Sequence, residues 1–268
     1  MTTAEKKHER LFQRLPSLTN GQLFWLDKVV EVFECPHTFQ IYESDLFNTG
    51  ILADFGDALR IHHAFSVEPF SKDKFEYVLE QILKIDGRQA NLATKGNRGH
   101  DITIDGVKVS LKTQADKNIR RGKIWISKFM ELGSGQWSNK PEELNGLLSM
   151  FLHHMTGYDR IFTLRTLQKG PEWEYELVEI PKKLLQAAEN GRLEMKLDSK
   201  QLPKPGYCYV TDLAGNDIFQ LYFDGGGERK LQVKNLLKTH CTVHATWKFS
   251  ITQLERSPGL HACASSQY

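Results

Sequence analysis

Paired cysteines are the first thing missing. Cys35, Cys208, Cys241 and Cys263 are the chain's four cysteines, far apart and without a CxxC pair. That spacing excludes both a cysteine zinc framework and a small disulfide scaffold. Also missing is any apolar run near the roughly 20 residues that a membrane-spanning helix requires. The opening MTTAEKKHERLF has neither the apolar stretch nor the cleavage site of a secretory signal. These absences predict a reducing, cytoplasmic setting with no membrane partner. Neither sign of charge is in excess: 35 Lys and Arg against 33 Asp and Glu leave a formal net charge of +2. A near-neutral average does not exclude a nucleic-acid enzyme, which needs a basic cleft rather than a basic surface. Internal repeats and low-complexity segments are absent as well.

What is present suits a folded α/β protein: 268 residues, 40% hydrophobic and 25% charged. The first 35 residues read as two helices split by Pro16, the second with a broad apolar face of Leu23, Trp25, Leu26, Val29, Val30 and Phe33. Ser71 is a good N-cap for a further helix, with Asp73 in its first turn and Phe75, Val78, Leu79, Ile82 and Leu83 as its apolar stripe. A polar, glycine-containing loop then leads to two short strands around Asp105-Gly106, and Lys123–Lys128 reads as another strand. Pro141 and Glu142 open a helix bearing Leu144, Leu147, Leu148, Phe151, Leu152 and Met155. Beyond Gly157, six strand-like runs alternate with one helix near Lys182–Glu189. The pattern predicts one α/β domain over residues 1–256, a mixed sheet flanked by helices, followed by a loose tail at 257–268.

The densest chemistry lies in Gly99-His-Asp-Ile-Thr-Ile-Asp-Gly-Val-Lys-Val-Ser-Leu-Lys-Thr113. Asp-Gly between alternating apolar runs is a strong hairpin signal. A two-residue turn there pairs Ile104 with Val107 and places Asp101 opposite Ser110. Alternation sends Ile102, Ile104, Val107, Val109 and Leu111 to the core, and Asp101, Thr103, Lys108, Ser110 and Lys112 to the other face. Asp101 and Lys112 become diagonal neighbours. The residues alone leave two readings open: a solvated face with an incidental charge pair, or a carboxylate and a lysine assembled for phosphodiester hydrolysis. On the preceding helix, Glu76 lies on the wheel beside Leu79 and Leu83, at the border of the core stripe. Glu80 points about 40° further toward solvent. Glu76 is either a second carboxylate for the site or a glutamate on a helix flank.

Helix with glutamate, loop, then GHDITID…VSLKT resembles the catalytic core of the PD-(D/E)xK nucleases, and within them the SmaI-type family of type II restriction endonucleases. Further blocks carry the resemblance: KFMELGS from Lys128, YDRIFTLR from Tyr158, LVEIPKKLL from Leu177, SKQLPKPGYCY from Ser199, LYFDGGGERKLQ from Leu221 and HCTVHATW from His240. The resemblance implies a restriction-endonuclease-like core at about 70–130, and recognition and sheet extension at about 158–250. It implies catalytic Asp101 and Lys112, a Mg²⁺ cofactor, and the Leu111 main-chain carbonyl beside Asp101 and Glu76 as metal ligands. Ser110 stands where the pattern has an acidic residue; Glu76 replaces it on the helix-wheel reading, with Asp116 in reserve. The implied activity is Mg²⁺-dependent cutting of both strands of duplex DNA at the palindrome CCCGGG, leaving blunt ends. It would be carried out by a homodimer whose functional partner is a cognate DNA methyltransferase. Lys117, Arg120 and Arg121 read as phosphate contacts, and Arg229 and Lys230, in the glycine loop Asp224–Lys230, as contacts to bases or phosphates. The glycine loop reads equally as a flexible hairpin with solvated charges. His62, His63, His153 and His154 read as packing or surface residues. Two other readings stay open: a repair or junction-resolving nuclease on the same core, and an inactive DNA-binding module that has lost the acid at 110.

Overall fold

The computed structural model describes residues 2–251 except Lys95, Arg98 and residues 134–136; the tail read from 257 onward lies outside them. Two helices, α1 (Thr3–Arg14) and α2 (Asn20–Glu34), flank a short turn around Pro16. Each opens with a threonine capping box, from Thr2 and Thr19, which satisfies amide groups that a helix start leaves free. Strand β1 (His37–Ile41) and helix α3 (Thr49–Phe65) follow, then α4 (Lys72–Ile85), β2 (Ala90–Leu92), β3 (Ile102–Ile104), β4 (Val107–Gln114), β5 (Lys123–Glu131) and α5 (Glu143–His154). The second half holds β6 (Arg160–Gln168), β7 (Glu172–Glu179), the short α6 (Lys182–Gln186), β8 (Arg192–Met195), β9 (Gly206–Thr211), β10 (Asp217–Asp224), β11 (Lys230–Leu237) and β12 (Thr242–Ser250). Strands β1, β2 and β8 and helix α3 go beyond the expected elements. No helix among the described residues is long and apolar enough to cross a membrane.

The strands form two sheets rather than one. The larger runs β1-β12-β7-β6-β4-β3-β2 and is mixed, because β4 and β6 run parallel while their neighbours run antiparallel. The smaller runs β5-β11-β10-β9-β8 and is antiparallel throughout. One core packs α3 and α4 against the larger sheet through Phe55, Leu59, Phe75, Leu79, Val109, Leu111 and Trp247. The other joins α5 and the smaller sheet to the opposite face through Phe129, Phe151, Ile161, Val178, Leu221 and Val233.

At Ser110 and Lys112 the polar face of β4 is therefore covered as well, which removes the solvated-face alternative there. Ser110, Lys112, Thr163, Arg165 and Glu176 are all buried on that side. Arg165 ion-pairs with Glu176 and donates to the carbonyls of Arg120 (2.8 Å), Arg121 (3.2 Å) and Lys123 (2.8 Å). It thereby fixes the turn at which the chain leaves the larger sheet and enters the smaller one. The apolar face of α2, by contrast, is only partly covered among the described residues: Trp25 and Val30 are each 52% exposed, and Val32 is the helix's buried residue.

His63 is buried packing, as the sequence reading expects. Its ring stacks on Trp173 at 3.5 Å, Nδ1 meets the Ser66 carbonyl at 2.9 Å and Nε2 meets the Tyr175 hydroxyl at 2.7 Å. Burial pushes it down to about 3. Below pH 6.5 the unfolded chain takes up a proton that the folded imidazole refuses until about pH 3. Stability from this group is thus full above pH 6.5 and falls as pH drops through that window, by up to about 1.4 kcal/mol per pH unit. Urea unfolding between pH 7 and pH 4 should show a shallower pH dependence in His63→Gln than in wild type. Equal slopes would show that His63 does not gate acid stability.

Candidate active site

The Asp105-Gly106 turn sets the geometry. Both residues have positive φ, 47° and 87°, as a type I′ hairpin turn requires. Ile104 pairs with Val107 and Ile102 with Val109, the predicted register. Continuing that register, Asp101 meets Ser110: its Oδ2 accepts the Ser110 hydroxyl at 3.1 Å and the Leu111 backbone N–H at 2.6 Å. The loop before Asp101 approaches the end of α5 closely, since a Cβ on Gly157 would lie 3.0 Å from the Gly99 Cα. Glycine at these two positions is what lets the Asp101 hairpin and the α5 terminus share one cleft.

Helix α4 brings a second carboxylate near Asp101. Ser71 caps it, accepting the Lys74 N–H at 3.4 Å. One turn further, Glu76 faces the hairpin as the wheel predicts. Lys72 bridges the two acids, its Nζ 2.7 Å from Asp101 Oδ1 and 2.6 Å from Glu76 Oε1. Glu80 does not point to solvent. It is buried, accepts the Leu92 N–H at 3.1 Å and pairs with Lys84 at 2.9 Å. A wheel registers only distance from the apolar stripe; it does not show that β2 lies at the sheet edge, where its amide needs a partner. Asp116, the reserve, accepts from Gln114 at 2.7 Å and does not line the cleft.

The cleft, of about 1150 Å³, has Lys72, Asp101 and Lys112 on one wall and Phe129, Met130 and His154 on the other. Lys112 is buried, with Nζ 5.4 Å from the Phe129 ring centroid. Burial pushes its ammonium down to about 8, against the pull of Asp101. Burial pushes Asp101 upward, but the charges of Lys112 and Lys72 and the bonds from Lys72 and Leu111 outweigh it and hold the carboxyl below its ordinary value. His154 is pushed down to about 4 by burial and then by Lys112, and its Nε2 is buried without a hydrogen-bond partner. The Tyr158 hydroxyl and Thr163 Oγ1 are in the same state.

Among the described residues no group of three or more His, Cys, Asp or Glu side chains is arranged to hold a metal ion. What the fold brings together is a pair, Asp101 and Glu76. Glu76 Oε1 is buried, and its 2.6 Å contact with Lys72 lies outside hydrogen-bonding geometry. Two hard carboxylate oxygens beside a polar cleft suit a divalent cation that completes its shell with a carbonyl, water and phosphate oxygen.

Comparison with known proteins is decisive at this point. The model of the SmaI family, described as type II site-specific deoxyribonuclease, matches residues 11–249. The type II restriction enzyme SmaI of Serratia marcescens is 44% identical over 245 residues, covering 91% of this chain and 97% of that protein. The chain belongs to the SmaI family of type II restriction endonucleases.

A SmaI-family enzyme is a site-specific deoxyribonuclease, so the repair-nuclease and inactive-module readings fall away. At position 110 the serine hydroxyl donates to Asp101, and the carboxylate brought beside Asp101 is Glu76, through Lys72. The basic residues divide. Arg121 donates to both Glu174 carboxylate oxygens, at 2.5 and 2.6 Å, and Arg120 to Asn235 at 2.5 Å. Lys117 is exposed, and none of these three lines the cleft. Lys230 lies closer, because β11 pairs with β5 and sets Lys230 against Glu131, a cleft residue. Arg229, at φ 40°, gives its carbonyl to the Leu132 N–H at 2.7 Å, and Lys230 pairs with Glu228 at 3.1 Å. Lys72 and His154 were not legible as site residues. Lys72 belongs to a charged first turn like many others, and only the fold brings α5 opposite β4.

Proposed function

We propose that this SmaI-family enzyme uses Mg²⁺ to cut both strands of CCCGGG at its centre, leaving blunt ends, as a cytoplasmic homodimer paired in function with a cognate DNA methyltransferase. Asp101 and Lys112 in one cleft, with Glu76 brought beside Asp101 through Lys72, carry the catalytic part. Asp101 and Glu76 would hold the cation, with the Leu111 carbonyl as a further ligand; a Mg²⁺ bound there would supply polarisation of the scissile phosphate and a lowered pKa of a bound water. Lys112, held near 8 by burial, has a neutral fraction at neutral pH that can take the proton of the attacking water. In its protonated form it offsets charge on the phosphorane. Ser110 and the Leu111 N–H aim the Asp101 carboxylate.

The hexamer is supported by the resemblance along the chain and by the identity with SmaI. Its two-fold symmetry suits a two-fold dimer with one active site per strand. The partly uncovered apolar face of α2 supports a second subunit. Arg229 and Lys230, on the hairpin beside the cleft rim, read guanine edges or adjacent phosphates, and Lys117, Arg120 and Arg121 contact more distant phosphates. Digestion of a plasmid of known sequence in Mg²⁺, with sequencing of the fragment ends, tests the reading. Blunt ends at CCC/GGG are expected. Staggered ends or another site would remove the assigned specificity and leave the nuclease core standing.

A further inference from the structure

Lys72 breaks two local rules. It occupies the first position of α4, after the cap Ser71, where the helix dipole disfavours a cation. It also precedes Glu76 by four residues, the less favourable order for such a helical ion pair. Helix stability therefore does not account for it. Its tertiary position does: one ammonium lies 2.7 Å from Asp101 Oδ1, on the cleft wall, and 2.6 Å from Glu76 Oε1, on α4 beside it.

We propose that Lys72 is a built-in counter-cation that occupies the divalent-metal position in the DNA-free enzyme and must be displaced before metal can bind. The inference rests on the metal-site reading above. Mg²⁺ requires ligand oxygens at roughly 2.1 Å, so a metal on Asp101 and Glu76 and an ammonium touching the same two oxygens exclude one another, by contact and by like charge. Displacement needs no backbone movement. The lysine stem is flexible, its side chain is 39% exposed, and it lines the cleft wall. Once displaced, the ammonium stays tethered at the cleft, where an incoming phosphodiester offers it a new anionic partner. Metal entry and DNA entry thereby favour one another.

Direct binding of Mn²⁺ to the DNA-free enzyme tests this, read by calorimetry or by loss of the free-ion paramagnetic resonance signal. If the lysine holds the position more than nine-tenths of the time, removing it should tighten Mn²⁺ binding about tenfold or more. Lys72→Met and Lys72→Gln should both show the gain, and Lys72→Arg, which keeps the charge, should stay near wild type. Unchanged or weaker binding in the two neutral variants would overturn the proposal, as would an equal gain in Lys72→Arg. Adding Asp101→Asn to Lys72→Met separates the two layers. Loss of Mn²⁺ binding in the double variant keeps the metal site where it is placed, whatever Lys72 does. Retention would overturn the site reading and this inference with it.

Discussion

Asp101→Ala and Lys112→Met should each lower single-turnover DNA cleavage in Mg²⁺ by at least about 10³-fold, while specific DNA binding stays within about 1–2 kcal/mol of wild type. The two side chains act at the same point by different means. Asp101 offers a carboxylate held by a 2.6 Å backbone N–H and a 3.1 Å hydroxyl, so on the proposed metal site its loss would remove a ligand oxygen that water cannot replace in the same orientation. Lys112 is a buried amine beside Phe129 with an ammonium lowered to about 8. Methionine fills a similar volume without a proton to exchange or a charge to place, so the change removes chemistry with little change in packing. Binding is spared because affinity for DNA comes mainly from phosphate and base contacts over a much larger surface. Cleavage followed in rapid quench, with binding measured by anisotropy in Ca²⁺, checks both halves. A variant that still cuts at near-normal rate would show that the site is misplaced; one that loses binding and cleavage together would show that the residue holds substrate rather than performing chemistry.

Glu76→Ala should cost about 10²-fold or more in cleavage rate, and Ser110→Ala less than about tenfold. Position alone suggests the opposite, because Ser110 stands where the resembled core pattern has an acidic residue. The structure gives the physical reason. A neutral hydroxyl is a weak ligand for a hard cation, and the Ser110 hydroxyl already donates to Asp101. Its loss leaves Asp101 Oδ2 still held by the Leu111 N–H. Glu76 brings a full charge, and Lys72 already bridges it to Asp101. Rates measured across a Mg²⁺ titration separate the two effects. Glu76→Ala should require more metal to reach its residual rate, whereas Ser110→Ala should keep the wild-type midpoint. If Ser110→Ala is the severe variant and Glu76→Ala the tolerated one, the second ligand is wrong. Asp116 is then the next residue to vary, although the fold directs it to Gln114.

The hairpin was legible because Asp105-Gly106 is a local device: positive φ at both residues decides turn and register together, and register decides which side chains share a face. Glu76 was legible because a helix repeats every 3.6 residues over a stripe as clear as Phe75, Leu79, Ile82 and Leu83. Glu80 defeated the same reasoning, since its partner is the amide of an edge strand that no wheel contains. The covering of the Lys112 face was not legible either. Alternation says that Ser110 and Lys112 point together, but whether they meet water or protein depends on where β5 goes. A buried arginine more than 40 positions downstream, Arg165, fixes the turn that sends it into the second sheet.

By itself, then, the sequence determined the elements whose forces act between near neighbours: the capped helices, the turn, the Asp101–Lys112 diagonal, and the blocks that mark a SmaI-type endonuclease. Tertiary structure alone decided that two sheets enclose the lysine, that Lys72 lies between the two carboxylates, and that α5 brings His154 to the far wall of the cleft. The reason is common to all three. Burial and ion pairing depend on which distant segments share a volume, and no local periodicity records that.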